Sequence, residues 1–328
     1  MKQFTITEND ANQRLDKFMK KLFPLATRGL LYKLNRTNKV KVNSKKEDNE
    51  YKLQIWDEIK IFLTDTDFEV LSKEIDKKTD VSKENNQRIK LDKKDIVFED
   101  NFVLVVNKPA WLNVHPWDHK TKESNLISQV QDYLWDKLNS LTFKPSLAHR
   151  IDRDTSGIVI IAKKKDILTR LVEDFKNHNN IRKYYLAIVS WVLSKKEWII
   201  DKKLERIENA KNENKVQVSD KWQKALSLYK VIKEIKYKNE DFSLVEVEIK
   251  TGRMHQIRVH LASIWHPIIW DKTYGNKSLN HYLQKELWVS RQFLHASKID
   301  FTNYGTWKKM ILEARLKDDM KEFLEKVG

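Results

Sequence analysis

Leu15, Phe18, Met19 and Leu22 recur at helical spacing, with Lys17, Lys20 and Lys21 on the other faces. This spacing predicts an amphipathic helix. A second follows Phe23 and Pro24: Thr27 is placed to cap it, Leu30, Leu31 and Leu34 form its apolar stripe, and Arg28, Lys33 and Arg36 face solvent. Short alternations at Val40 and Val42, Leu53 and Ile55, and Ile59 and Ile61 predict strands. Residues 1–64 therefore read as a small module of two basic helices and short strands. Between 73 and 90 the apolar residues thin out among Lys, Asp, Glu, Asn and Ser. Such a stretch predicts a charged linker, drawn at 65–92. Beyond it, apolar runs of strand length dominate, at 95–99, 102–107, 158–162, 185–189 and 242–249. Amphipathic helices are predicted at 125–137 and 165–178. Runs of strands with inserted helices imply an α+β domain with a largely antiparallel sheet over 93–328.

The charge balance narrows the partners. The chain carries 63 Lys and Arg against 47 Asp and Glu, a net charge of +16. Residues 1–64 hold 14 basic and 8 acidic residues. An excess of this size favours a polyanion, because each neutralised phosphate releases counterions. A lysine-rich proteome would give the same excess, so charge alone leaves the partner open. The chain has no cysteine, which excludes disulfides, thiolate zinc sites, iron–sulfur clusters and a cysteine nucleophile. No apolar run approaches 18 residues and the start is polar, so neither a membrane helix nor a signal peptide is expected. A cytoplasmic location fits these features. Neither a P-loop nor a Gly-rich dinucleotide loop is present, and no cofactor is expected.

The densest chemistry lies in His149-Arg150-Ile151-Asp152-Arg153-Asp154-Thr155-Ser156-Gly157, just before the apolar run 158–162. Guanidinium neighbours favour the charged form of a carboxylate, which can act as a nucleophile. Taken by their types alone, the same residues also suit a charged turn held by local ion pairs. His255 and His260 lack a third ligand or carboxylate at ligand spacing, so no metal site is expected.

The nine-residue segment resembles the His-Arg-Leu-Asp-x-x-Thr-Ser-Gly signature of the RluA-type pseudouridine synthases, with Ile151 in place of Leu. Other segments resemble that family's motifs in the same order. Asn107-Lys108-Pro109 with Val114-His115-Pro116 resembles the first. Lys183-Tyr184-Tyr185 resembles Lys-x-Tyr. Residues 251–262 resemble Thr-Gly-Arg-x-His-Gln-Ile-Arg-x-His, and 291–296 resemble the late motif. Residues 1–64 resemble the S4 RNA-binding domain that many of these enzymes carry. The resemblance implies a pseudouridine synthase fold and the isomerisation of uridine in structured RNA. It implies Asp152 as nucleophile, Arg258 as its partner, Tyr185 as the ring that stacks on the uracil, and Arg150 as the group that replaces the extruded base. Arg28, Lys33, Arg36, Arg253 and His255 are further expected RNA contacts. Large-subunit (23S) ribosomal RNA is the expected substrate, because members with the S4-like module often act there, and a monomer is expected. Transfer RNA or several RNAs, and a non-catalytic ribosome-assembly role, stand as alternatives.

The chain has 11 Trp and only 6 Gly, where average usage would give roughly 20 Gly. Trp111, Trp117, Trp265 and Trp270 stand where the family patterns have glycine. Trp56 stands where an S4 domain turns with Gly-Asp. Trp191, Trp198, Trp222, Trp288 and Trp307 lie in polar, turn-like contexts; Trp135 shows the pattern least. Turns with positive φ accept glycine freely and a bulky residue only under strain. The expectation is one codon read as tryptophan that the source organism reads as glycine. A tryptophan-rich, RNA-stacking protein is the alternative.

Overall fold

The computed structural model describes residues 1–72, 90–116, 124–134, 140–208 and 214–328. The linker stretch from 73 to 89, Trp117, Trp135 and the end of the helix expected at 125–137 lie outside them. The chain divides into two compact units.

In the first unit, strands β1 (Lys2–Thr5), β2 (Val40–Val42) and β3 (Glu58–Ile61) form an antiparallel sheet in the order β1-β3-β2. Helices α1 (Leu15–Leu22) and α2 (Arg28–Arg36) follow the apolar stripes read from the sequence. Thr27 caps α2, accepting the Leu30 N–H at 3.2 Å. Leu15, Phe18, Phe23, Leu31, Leu53, Ile59 and Ile61 close one core. Leu53 is buried there but forms no strand with Ile55, which is exposed. Where a linker was expected to begin, Asp65–Ser72 form α3. Thr64 Oγ1 accepts the Asp67 N–H, and Phe68 packs on Phe4 and Phe23. The unit also takes in part of 134–145. There buried Asp10 accepts bonds from the Thr142 N–H and hydroxyl, the Leu141 N–H and the Ser140 hydroxyl.

The second unit is an α+β domain around one large sheet, as the strand runs predict. Its strands are β4 (Ile96–Glu99), β5 (Val103–Lys108), β6 (Ser146–Leu147), β7 (Ser156–Ala162), β8 (Ile181–Ser190), β9 (Glu197–Asp201), β10 (Leu204–Glu208), β11 (Asn214–Val218), β12 (Leu226–Tyr237), β13 (Glu240–Ile249), β14 (Leu294–Asn303) and β15 (Lys308–Glu313). The sheet runs β4-β5-β7-β14-β8-β13-β12-β9, with β6 on β7 and β15 on β14; β10 and β11 pair separately. The helices are α4 (Leu126–Leu134), α5 (Lys165–Asn177), α6 (Gln256–Ala262), α7 (Lys277–Leu287) and α8 (Asp318–Val327). Leu171 of α5 packs on Val105, Ile160 and Phe301. Leu283 of α7 and Phe323 of α8 pack on Ile188, Phe242 and Phe293.

Of the strand pairs in this sheet, β7 with β14 is parallel and the others are antiparallel. Gly157 makes that junction possible. Its φ is +114°, and a Cβ there would lie 2.3 Å from the Ala296 carbonyl oxygen. Gly157→Ala is therefore expected to cost at least about 3 kcal/mol, from strain and overpacking together. Chemical denaturation of the purified variant checks this, and an unchanged midpoint would contradict it.

The other positive φ values are unevenly shared. Asn12, Asn38, Asn43 and Asn180 adopt this region, as short polar side chains do. So do Trp56, Trp111, Trp191, Trp265, Trp270, Trp288 and Trp307, with φ between +56° and +75°. Seven of the nine described tryptophans thus hold backbone that glycine occupies without cost.

Candidate active site

Asp152 sits in the loop between β6 and β7, and three buried side chains hold that loop. Lys108, at the end of β5, donates from Nζ to the carbonyls of Pro109 (2.8 Å), Leu112 (2.8 Å) and Arg153 (2.9 Å). Burial pushes its pKa down to about 7, while three carbonyl acceptors use all three N–H groups of the ammonium and favour the charged form. Gln292 donates to Thr155 Oγ1 at 2.8 Å. Arg291, fully buried, forks onto Asp319 at the start of α8 and reaches the Asp154 carbonyl at 3.5 Å. At the head of the loop, His149 Nε2 accepts the Ile160 N–H at 3.1 Å, and the ring stacks on Phe175 at 4.2 Å. Burial pushes this imidazole down to about 3, so it is neutral at ordinary pH.

Ser156 and His295 lock β7 to β14. Ser156 Oγ lies 2.9 Å from His295 Nδ1, and His295 Nε2 lies 3.2 Å from the Ala314 carbonyl. The neutral ring with its proton on Nε2 satisfies both contacts. Burial pushes His295 from 6.5 down to about 4. The unfolded chain therefore binds a proton that the folded chain refuses. This stabilisation is full above pH 6.5 and is lost as pH falls toward 4. At pH 5 the loss amounts to about 2 kcal/mol. The urea midpoint should drop between pH 7 and pH 5, with buried His149 contributing as well, and His295→Asn should make the drop smaller. An equal drop in the variant would exclude His295 as its source.

The loop faces a cavity of about 310 Å³ whose lining includes Arg150, Asp152, Lys183, Tyr185, His255 and Arg258. Arg258, on α6, donates from Nη1 to Asp152 Oδ2 at 2.9 Å. Its other edge is taken by buried Asp271, with Nε at 2.7 Å and Nη2 at 2.9 Å. Burial alone would weaken the guanidinium's charge, but the two carboxylates outweigh it and raise its pKa above the usual range. Asp271 thereby aims the remaining nitrogen at Asp152.

His255 precedes α6 in a left-handed conformation, with φ +55°. Its Nδ1 lies 2.9 Å from the Tyr274 hydroxyl, which also accepts the Val216 N–H at 2.8 Å. The phenol proton is thus directed to Nδ1, and Nε2–H faces Asp152 Oδ2 at 3.8 Å. Burial lowers the pKa of His255, partly offset by Asp152. Tyr185, on β8, is buried; burial and then the charge of Asp152 raise its pKa. It is a neutral phenol at ordinary pH.

The structure thus brings Asp152, Arg258, Tyr185, Arg150, Arg253 and His255 around one cavity. Arg28, Lys33 and Arg36 are exposed on α2 of the first unit and do not line it. His260 bonds to Ser227 and the Lys202 carbonyl. Sequence reading gave no role to Asp271, Tyr274 or Lys183. Asp271 and Tyr274 lie beyond α6, and nothing in their neighbours marks them as partners of Arg258 and His255.

A carboxylate aimed by arginine and a buried tyrosine share one cavity, as the motif resemblance implies for an RNA-modifying isomerase. Residues 102–263 match the family of RNA pseudouridylate synthases. The ribosomal large subunit pseudouridine synthase C of Buchnera aphidicola subsp. Baizongia pistaciae is 31% identical over 95% of this chain and 92% of its own length. The synthase of the same name from Vibrio vulnificus is 34% identical, over 98% and 94%. That from Escherichia coli O157:H7 is 31% identical, over 100% and 97%. Among solved structures, human RNA Pseudouridylate Synthase Domain Containing 4 shares the fold, with a TM-score of 0.57 and 21% identity over 72% of this chain and 94% of its own. The chain belongs to the RNA pseudouridylate synthase family, isomerases that act on RNA.

Proposed function

We propose that this protein converts uridine to pseudouridine in large-subunit ribosomal RNA, with Asp152 as its nucleophile. The observation that carries the reading is the Asp152–Arg258 pair beside Tyr185 in one cavity. The near full-length similarity to synthases named for the large ribosomal subunit supports the substrate.

The reaction breaks the bond from ribose C1′ to uracil N1 and forms one from C1′ to C5. One proton leaves C5 and one is gained at N1, so no redox partner or imported group is needed. Asp152 Oδ2 is held by Arg258, which leaves Oδ1 to act on the ribose. Tyr185 offers a ring face to the detached uracil. As a neutral phenol it is a poor base for the C5 proton, so its role here is stacking. Arg150, exposed at the cavity rim, fills the gap left by the flipped base; flipping costs a few kcal/mol. Arg253 and His255 contact the RNA beside it. In the first unit, Arg28, Lys33 and Arg36 on α2 suit backbone phosphates, as in an S4-like module. The protein is read as a cytoplasmic monomer.

Pseudouridine mapping of unmodified large-subunit ribosomal RNA, before and after incubation with the protein, tests the proposal. New pseudouridine at one or a few sites is expected. Its absence there, with formation in transfer RNA instead, would keep the chemistry and overturn the substrate.

A further inference from the structure

Lys183 stands two residues before Tyr185 on β8, so the two side chains leave the same face of the strand roughly 7 Å apart. Both line the cavity. Lys183 is only 7% exposed, yet among the described residues its ammonium has no hydrogen bond and no ion pair; Nζ lies 5.8 Å from the centre of the Phe175 ring. The other buried cations are matched: Lys163 by Glu99, Arg258 by Asp271 and Asp152, Arg291 by Asp319, and Lys108 by three carbonyls. Burial without a counter-charge pushes Lys183 down to about 8.

A second unmatched group stands beside it. His178 Nδ1 is buried without a hydrogen-bond partner. The two side chains meet at Gly252, where a Cβ would lie 3.7 Å from Lys183 Nζ and 3.9 Å from His178 Cε1. Gly252 is exposed, as are Lys176 and Arg253 on the same cavity's lining. The bare Cα therefore leaves the ammonium reachable from the rim. Of the charged residues lining the cavity, five are cations and Asp152 is the one carboxylate. An unpaired charge on a largely buried side chain is costly, and an anionic substrate group would supply the missing counter-charge.

We propose that Lys183, beside His178 and Gly252, seats a backbone phosphodiester of the RNA next to the nucleotide held at Tyr185. The proposal rests on the pseudouridine synthase reading. A phosphodiester suits this position because the exposed cations Lys176 and Arg253 share the cavity lining with Lys183, and a phosphate carries the negative charge that a neutral uracil lacks.

The test compares the parent, Lys183→Met, Lys183→Arg and Gly252→Ala on an RNA fragment carrying the mapped site. Lys183→Met should weaken binding about tenfold near physiological salt. It should lower the slope of log K against log salt by about 0.7 to 0.9, one phosphate's worth, and raise KM by more than it lowers kcat. Lys183→Arg should restore the slope. A methylphosphonate at the phosphate beside the target should weaken binding by the parent but add nothing to Lys183→Met. An unchanged slope, or a fall in kcat at unchanged affinity, overturns the proposal in favour of a charge serving the uracil. Should Lys183→Met not fold, Gly252→Ala decides: its methyl would screen Nζ, and undiminished affinity counts against the seat. If Lys183→Met loses the slope as expected but the parent forms no pseudouridine, the functional reading fails while the phosphate contact at Lys183 is retained.

An independent observation carries a second inference. Helix α6 ends in a Schellman motif: Trp265 N–H donates to the Ala262 carbonyl and His266 N–H to the Leu261 carbonyl, with Trp265 at the left-handed position. Trp288 holds the left-handed end of α7. Trp56 is the third residue of a turn closed by Asp57 N–H to the Gln54 carbonyl, with φ +75°. Trp270 buries its indole N–H without an acceptor. We infer that the natural protein carries glycine at Trp56, Trp111, Trp191, Trp265, Trp270, Trp288 and Trp307, through a codon its own cells read as glycine. Intact and peptide masses of the protein from its source cells should show glycine at these positions, and the gene should use one reassigned codon there. Ordinary UGG codons, or tryptophan in those peptides, would overturn it.

Discussion

Asp152→Asn is expected to abolish pseudouridine formation, by at least about a thousandfold, while RNA affinity stays within about threefold. The amide keeps the shape of the side chain, and its oxygen can still accept from Arg258 Nη1. Asp271 continues to hold the rest of the guanidinium, so the cavity keeps its geometry. What disappears is the anionic oxygen proposed to act on the ribose. A single-turnover assay by tritium release from C5-labelled RNA, with a parallel binding isotherm, separates the two effects. Turnover near the parent's rate would remove Asp152 from the chemistry. Loss of affinity together with activity would instead give it a binding role.

Replacing the seven positive-φ tryptophans by glycine is expected to raise stability by roughly 3 to 7 kcal/mol in total. The left-handed region costs an L-residue roughly 1 to 2 kcal/mol, and glycine returns about 0.5 to 1 of that through its freer unfolded chain. The clearest single positions are Trp56, Trp265 and Trp288, which are 79, 83 and 85% exposed and so lose little packing. Trp198 is the control. It lies in β9 opposite Tyr229, outside the positive-φ set, and glycine there should destabilise the strand. Denaturation midpoints across this series check the sign at each site. A loss of stability at Trp265 and Trp288 matching that at Trp198 would show that these turns do not call for glycine.

Much of the molecule was legible in its pattern. The stripes Leu15–Phe18–Met19 and Leu31–Leu34 became helix faces because their spacing leaves one buried side. The apolar runs became β5, β7, β8 and β13 because buried strands tolerate little else. Leu53 and Ile55 misled because alternation over three residues does not distinguish a strand from an extended segment with one anchored side chain. Helix α3 was hidden in acidic surroundings, since only Phe68 and Leu71 supply its apolar contacts.

The site divides along the same line. Asp152, Tyr185, Arg258 and Arg150 stood in motifs whose order along the chain named them, and the turn positions of the tryptophans already pointed to glycine. Residue type and local spacing carry that much, because they set backbone preference and available chemistry. That Asp271 grips the far edge of Arg258, that Tyr274 orients His255, and that Lys183 lies buried without a counter-charge depended on contacts between distant segments. Charge pairing and desolvation are properties of a neighbourhood in space. Only the packing of α6 and the segment after it against the sheet brought those neighbours together.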